Sequence, residues 1–461
     1  MAAKRVKKLD GRKKGDQISK LPDSITHQIL SFLPTIEVVR MSILSKRWRR
    51  VWYSVPALNF YQIHTDLWKE RFDKFVDECL KHREIGMRYI ADSSITRFSL
   101  QMPHDADYTR VDKWLNFLVV KNKMEELDLL LRPLSRTGLT LHYRLPKAIL
   151  KAQSLTLLKL EGLKMESPLQ VCLPFLKLLS LKDVGGLNDH SLEDLLANCP
   201  SLEKLVLQDC KDLSAPRVSS SSLKSSEVQL VPRQKIKIEA INLRSLLFTG
   251  AQYCRISLAT TCAGLESLSL YNVEFLGRCL ADYIFKHTLE SLTIGGSIGW
   301  NDVKNIRSPR LKNLIISQRL SKEAGAVKVD AVNLVSFTYK AHRMKKFCDI
   351  SLNSPNLRVC NVKLTSQYRI YDTNWYVNLM RLLSDVSCSK NMCLDVYYEE
   401  ALIIPNELRS ICRSSLLAVE HLKVTTYSRL SKMSDLKDSL YWLSPSLKSL
   451  SMEQQKNGFH F

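Results

Sequence analysis

The chain has 461 residues, 45% apolar and 25% charged, with a formal net charge of +22. That length exceeds one compact core and suits several domains or an elongated repeat array. No stretch approaches the ~18 consecutive apolar residues of a membrane span, and MAAKRVKKLDGRKK has no apolar run behind it, so no secretory signal is expected. The 12 cysteines include no CxxC pair, so zinc-ligand spacing is absent and no metal or cofactor is expected. Most sit in apolar phrases such as VCLPFL and LANCPSL, which reads as small buried hydrophobes in a reducing compartment, the nucleus or the cytoplasm.

Residues 1–15 carry two basic clusters, Lys4, Arg5, Lys7 and Lys8, then Arg12, Lys13 and Lys14. They read equally as a nuclear-import signal or as a disordered solubilising tail.

Residues 16–52 read as three short helices. Ile25, Ile29, Leu30 and Leu33 recur at helical spacing. Pro22 is placed just inside the helix start, Pro34 stops it, and Thr35 caps the next helix, which carries Val38, Val39 and Met41. Ser42 or Ser45 starts the third, with Trp48, Val51 and Trp52. A core of about 40 residues rarely stands alone, so surplus apolar surface on this module calls for a partner.

The phrases ISKLPD, ILSFLP and LSKRWRRVW, in that order, resemble the F-box of plant F-box proteins. The resemblance implies docking on a Skp-family adaptor and, through it, on a cullin–RING ubiquitin ligase. The adaptor contacts it implies are Leu21, Pro22, Ile25, Ile29, Leu33, Pro34, Val38, Val39 and Leu44, with Ser45, Arg47 and Trp48 completing the signature. Leu30 and Trp48 read first as packing within the module. The F-box is assigned to residues 16–60 and a helical connector or cap to 61–94, with Trp68, Phe72, Phe75, Val76 and Cys79 as its apolar stripe.

From residue 95 to 461 the pattern LxxLxL recurs, beginning at Ile95 (ITRFSL) and ending at Leu447 (LKSLSM). Two units are degenerate: LKSSEV, with Ser226 in place of leucine, and NMCLDV, read from Asn391. The mean spacing of about 25 residues lies in the range of leucine-rich repeats, in which no unit buries its leucines alone and neighbours must stack. Helical stripes fall between the strands, at Val111, Trp114, Leu115 and Leu118 and at Leu192, Leu195 and Leu196, the latter ended by Pro200. The interval from Val362 to Val419 reads as a longer repeat or an overhanging loop, with a helix through Trp375, Leu379, Leu382, Leu383 and Val386. Phrases such as NCPSLEKLVLQDC and LYWLSPSLKSLSM resemble the repeats of plant F-box/leucine-rich-repeat proteins. The expected fold is therefore α/β: a small three-helix F-box followed by a leucine-rich-repeat solenoid, parallel strands on the concave face and helices or loops on the convex face.

Residues flanking the inner leucines share one face. That face starts acidic at Glu126 and Asp128, is rich in hydroxyls midway, and is sparsely basic at its end. The candidates for contact with a target protein are Lys204, Gln208, Ser267, Tyr271, Thr293, Asn313, Thr338, Lys340 and Lys363. They suit a polar or weakly acidic segment, although serine and threonine also simply suit exposed strand positions. No paired carboxylates, histidine cluster or nucleophile–base set appears, and no GxxxxGK[ST], HExxH or GxSxG, so no catalysis is expected. The glycines of GGSIG, residues 295–299, read as a turn. The leading reading is the non-catalytic target-recognition subunit of a Skp–cullin–F-box ligase. The alternative is a ligand-gated receptor of the plant hormone-receptor type, which shares the domain order. Nucleic-acid binding, suggested by charge, lacks a basic stripe interleaved with aromatics, and no membrane partner is expected.

Overall fold

A computed structural model describes residues 18–62, 69–90, 93–104, 108–133, 142–167, 169–251, 254–259, 261–272, 274–275, 288–296, 305–319, 326–342, 347–365 and 371–455. The basic clusters of residues 1–15, Trp68 and residues 297–299 lie outside them. The chain forms two compact units, Met1–Lys164 and Met165–Phe461.

The first unit opens with three helices: α1 (Asp23–Ser31), α2 (Thr35–Met41) and α3 (Lys46–Ser54). Pro22 and Pro34 are the N-caps of the first two, so α1 starts one residue later and α2 one residue earlier than the sequence suggests. Thr35 is thus inside α2 and caps nothing. Its buried hydroxyl instead accepts the Asn59 N–H at 2.7 Å. Ser45 caps α3, accepting the Trp48 N–H at 3.2 Å.

A strand at Ala57–Tyr61 comes directly after α3 and pairs in parallel with Arg97–His104, which pairs with Glu126–Pro133, which pairs with Leu157–Glu161. Leu58 lies opposite Phe98 and Phe60 opposite Leu100. The stacking therefore begins one unit before Ile95, with VPALNF as Val55, Leu58 and Phe60, each at most 2% exposed. The sequence carries that pattern, but the long step to the next unit hides it. Helix α4 (Lys69–Tyr89) fills this step and buries Val76 and Cys79. Helix α5 (Thr109–Lys121) buries Val111, Trp114, Leu115 and Leu118, as its spacing requires.

The second unit carries twelve strands of one long parallel sheet among the described residues, from Leu178–Lys182 to Ser449–Gln454. Alternate residues such as Leu268 and Leu270, Leu292 and Ile294, and Leu314 and Ile316 are fully buried. Each side chain so buried contributes roughly 1.5–3 kcal/mol, and only because the neighbouring unit covers it. Ser226 takes the place of a leucine, is 1% exposed and leaves its hydroxyl without a hydrogen-bond partner, which marks this as the weak repeat expected. The second degenerate unit runs in a different register from the one expected. Met392 lies opposite Cys360 and Leu394 opposite Val362, so the unit begins at Ser389, not Asn391. Buried Ser389 closes its own turn, its hydroxyl accepting the Asn391 N–H and donating to the Asn391 carbonyl.

The return segments differ from the helices or loops expected. Where the strand-to-strand step is short, as from Ser225 to Ser245 and from Ser245 to Ser267, the return is itself a strand. Arg217–Ser219, Lys235–Glu239, Arg255–Leu258 and Glu274–Phe275 form one return sheet, and Asn305–Arg307, Ala326–Asp330 and Asp349–Asn353 another. Where the step lengthens, as from Val359 to Asn391 and from Asn391 to His421, helices fit. Those of this unit among the described residues are α6 (Asp189–Ala197), α7 (Thr373–Asp385), α8 (Asn406–Ile411) and α9 (Met433–Leu443). A strand advances over twice as far per residue as a helix, so a short return must be extended to cross the same layer. The strand at Asn391–Val396 also resolves the interval from Val362 to Val419 into successive repeats. Gly295 and Gly296 end a strand. Gly296 has φ +84° and no room for a Cβ, which would sit 1.8 Å from the Asn272 side-chain oxygen.

Candidate functional site: an apolar helical face and a polar strand face

The first surface lies on the N-terminal helices. On α1, Thr26 and Leu30 face inward at 2% exposure, whereas Ile25, Ile29 and Phe32 form an i, i+4, i+7 stripe facing outward. Phe32 is 82% exposed, and Ile43 and Leu44, between α2 and α3, are 80% and 69% exposed. So many large apolar side chains exposed on a small module make a candidate interaction surface.

Of the adaptor contacts implied by resemblance, Pro22, Ile25, Ile29, Leu44 and Ser45 are exposed, and Leu21, Leu33, Pro34, Val39 and Arg47 half-buried. Val38 and Trp48 are buried, so they hold the helices together and offer no surface. Arg47 ties α3 to the start of α1. Its guanidinium donates to Asp23 Oδ1 at 2.7 and 3.1 Å and to the Leu21 carbonyl. Phe32, Ile36 and Ile43, which sequence reasoning left out, are exposed. The signal for Phe32 was its i+7 spacing from Ile25. Nothing local marks Ile43.

Two polar groups, half-buried Asn59 and buried Arg83, fix this module to the first strand and to α4. Asn59 donates its amide to the carbonyls of Ser31 and Leu33 at 3.0 and 3.1 Å, so the first strand holds the turn between α1 and α2. Arg83, on α4, is fully buried and donates to the Trp52 carbonyl at 2.8 Å and the Ser93 carbonyl at 2.9 Å. It also lies 5.8 Å from the Trp52 ring centroid. Burial holds its guanidinium down at about 9.

His27 joins α1 to α3, its Nε2 lying 2.9 Å from the Ser54 hydroxyl. Burial lowers its pKa, against the opposing pull of Asp23 and with Arg83 adding to the lowering. The folded module thus favours neutral imidazole, while the unfolded chain protonates near 6.5. The stabilisation is complete above that pH and is lost as pH falls from about 6.5 toward the folded value. Thermal unfolding at pH 7.5 and 5.5 is expected to show a drop that shrinks in His27→Gln. An unchanged drop would mean other groups cause it.

The second surface is the strand face of the second unit. Lys204 is ion-paired with Glu227 at 2.6 Å, and Lys363 with Asp395 at 2.7 Å. Gln208, Ser267 and Tyr271 are half-buried, and Asn313 and Lys340 exposed. Thr293 and Thr338 are buried, at 7% and 8% exposure, because closely spaced neighbours close over the middle column. Asn361, for one, donates its amide to the Thr338 hydroxyl at 3.2 Å. These two threonines therefore leave the set of contact candidates. Lys423 pairs with Glu453 at 2.8 Å, an ion pair that sequence reasoning did not pick out. Among the described residues no cluster of His, Cys, Asp or Glu could hold a metal, and no helix is long and apolar enough to cross a membrane.

An exposed apolar face on a helical module and stacked parallel strands with a polar face define a modular protein of the repeat class. Residues 18–59 match the F-box domain family, and residues 80–348 match the family described as "At1g61320/AtMIF1, LRR domain". The second match covers more than half of the chain, which therefore belongs to that leucine-rich-repeat family, with the domain order of the F-box/LRR-repeat proteins. Similar Arabidopsis thaliana proteins include F-box/LRR-repeat protein 13, 34% identical over 45% of each chain. F-box/FBD/LRR-repeat protein At5g56420 is 35% identical over 46% of this chain and 48% of its own. F-box/FBD/LRR-repeat protein At2g26030 is 31% identical over 58% and 61%. The chain thus matches about half the length of the first two relatives.

Proposed function

We propose that this chain is the target-recognition subunit of a Skp–cullin–F-box ubiquitin ligase. Its N-terminal helices dock a Skp-type adaptor, and the strand face of its repeats holds a protein for ubiquitination. The observation that carries the reading is the exposed stripe of Ile25, Ile29 and Phe32, with Ile36, Ile43 and Leu44 also exposed on the same small module. The chain performs no chemistry in this reading. It raises the rate of transfer by holding the target near the conjugating enzyme, converting an encounter into an intramolecular step.

Co-expression of the full chain with a plant Skp-family adaptor tests this. Stable co-purification is expected, and a chain that purifies without the adaptor under those conditions would sink the proposal. Cysteine burial and the basic clusters of residues 1–15 support a place in the nucleus or cytoplasm. A fluorescent fusion is expected to lose nuclear enrichment when residues 1–15 are deleted, and unchanged enrichment would remove the import role.

A further inference from the structure

We infer that the strand face of the second unit is built for an extended acidic peptide, anchored at Lys182 and Lys340. The inference rests on the ligase reading and names the chemistry of the target segment. It starts from the charges on that face. Its carboxylates, Glu227, Asp395 and Glu453, each form an ion pair, with Lys204, Lys363 and Lys423. Among the described residues, Lys182 and Lys340 form no such pair. Among the described residues the face thus has two cations without an ion pair, while the Asp209 carboxylate, just past Gln208, also lacks one and accepts from the Gln229 side-chain amide at 3.1 Å.

Both lysines lie in one row. The parallel registers place Lys182 opposite Gln208, Gln208 opposite Gln229, Gln229 opposite Thr249, and Thr249 opposite Tyr271. Gly295 and Ser317 complete the row to Lys340. Beyond it Lys340 lies directly opposite Lys363, whose charge Asp395 already balances at 2.7 Å, so Lys340 is the cation left for a ligand.

Strand spacing sets the length of the ligand. The cations are seven strand steps apart, about 34 Å at ~4.8 Å per step. A peptide at ~3.4 Å per residue covers this with about ten residues. Between the anchors the row offers the Gln208 amide and the hydroxyls of Thr249 and Ser317, which suit a peptide backbone, while the Gln229 amide is held by Asp209. Its one aromatic, Tyr271, lies across Gly295, where a Cβ would come within 2.5 Å of the Tyr271 Cδ1. A single aromatic and two free cations are too few for nucleic acid, which needs repeated stacking platforms and many phosphate contacts.

The test pans phage-displayed random twelve-residue peptides against the full chain at about 150 mM salt. The recovered peptides are then measured by fluorescence anisotropy, alongside a single-stranded oligonucleotide. Recovered peptides are expected to carry Asp or Glu toward both ends. Their binding is expected to weaken at least tenfold in Lys182→Glu and in Lys340→Glu, and to persist in Lys235→Glu, an exposed return-strand control. Neutral or basic peptides, no recovered peptide, equal loss in Lys235→Glu, or an oligonucleotide binding as tightly would each overturn the inference. Adaptor co-purification is read on the same preparations. Its failure would count against the ligase reading and leave the peptide result standing.

Discussion

Ile29→Glu and Phe32→Glu are each expected to abolish co-purification with a Skp-type adaptor while the chain stays folded. Both side chains point away from the core, at 45% and 82% exposure, so a carboxylate there meets water in the free protein and costs little stability. In a complex the same carboxylate would be buried against an apolar partner without a counter-charge, which is severely unfavourable. Apolar anchors at the centre of an interface typically cost about 2–4 kcal/mol when removed, so affinity should fall at least about 30-fold. Val120→Glu is the control: Val120 is 79% exposed on α5, outside the proposed face, and its change should leave binding intact. Unchanged binding in both Ile29→Glu and Phe32→Glu would show that the adaptor, if bound, uses another surface. These positions are better probes than Leu21 and Pro22, which also serve the fold. The Leu21 carbonyl accepts from Arg47, and Pro22 caps α1.

Arg83→Ala is expected to lower unfolding stability by about 3–5 kcal/mol, read as a fall in the urea midpoint. The guanidinium satisfies one of the last carbonyls of α3, that of Trp52, and the Ser93 carbonyl just before the strand at Arg97–His104. Removing it strands both carbonyls in a dry site and leaves a cavity. Arg83→Met separates the two effects, because methionine fills most of the volume but donates no hydrogen bond. It should recover part of the loss and no more. A Met variant as stable as wild type would mean that burying the charge costs as much as its hydrogen bonds return, and that shape alone holds α3 to α4. The neighbouring contact is equally close: Gly86 on α4 has Tyr53 against it, and a Cβ there would lie 2.9 Å from the Tyr53 Cβ.

Much of this architecture was legible one residue at a time. The LxxLxL spacing located strand after strand because a buried strand must alternate and a stacked unit must repeat, and both are local demands on side chains. The helical stripes at Trp114 and at Leu192 were legible for the same reason. What failed locally failed where two meanings share one pattern. NMCLDV reads as a repeat from Asn391, yet pairing with the preceding strand sets Met392 and Leu394 inside and starts the unit at Ser389. A slip of two residues keeps the same faces, so only the partner strand can decide between the registers.

The two candidate surfaces divide along the same line. The sequence by itself determined the order of the modules, the parallel strands, and which strand residues share a face, because these come from period and turn chemistry. Only the tertiary structure decided which of those residues remain available. It closed Val38, Trp48, Thr293 and Thr338, neutralised Lys204 and Lys363 with partners, left Phe32 and Ile43 exposed, and left half-buried Lys182 and exposed Lys340 without an ion pair among the described residues. Exposure and ion pairing depend on residues from neighbouring repeats and helices, and these meet only once the chain has folded.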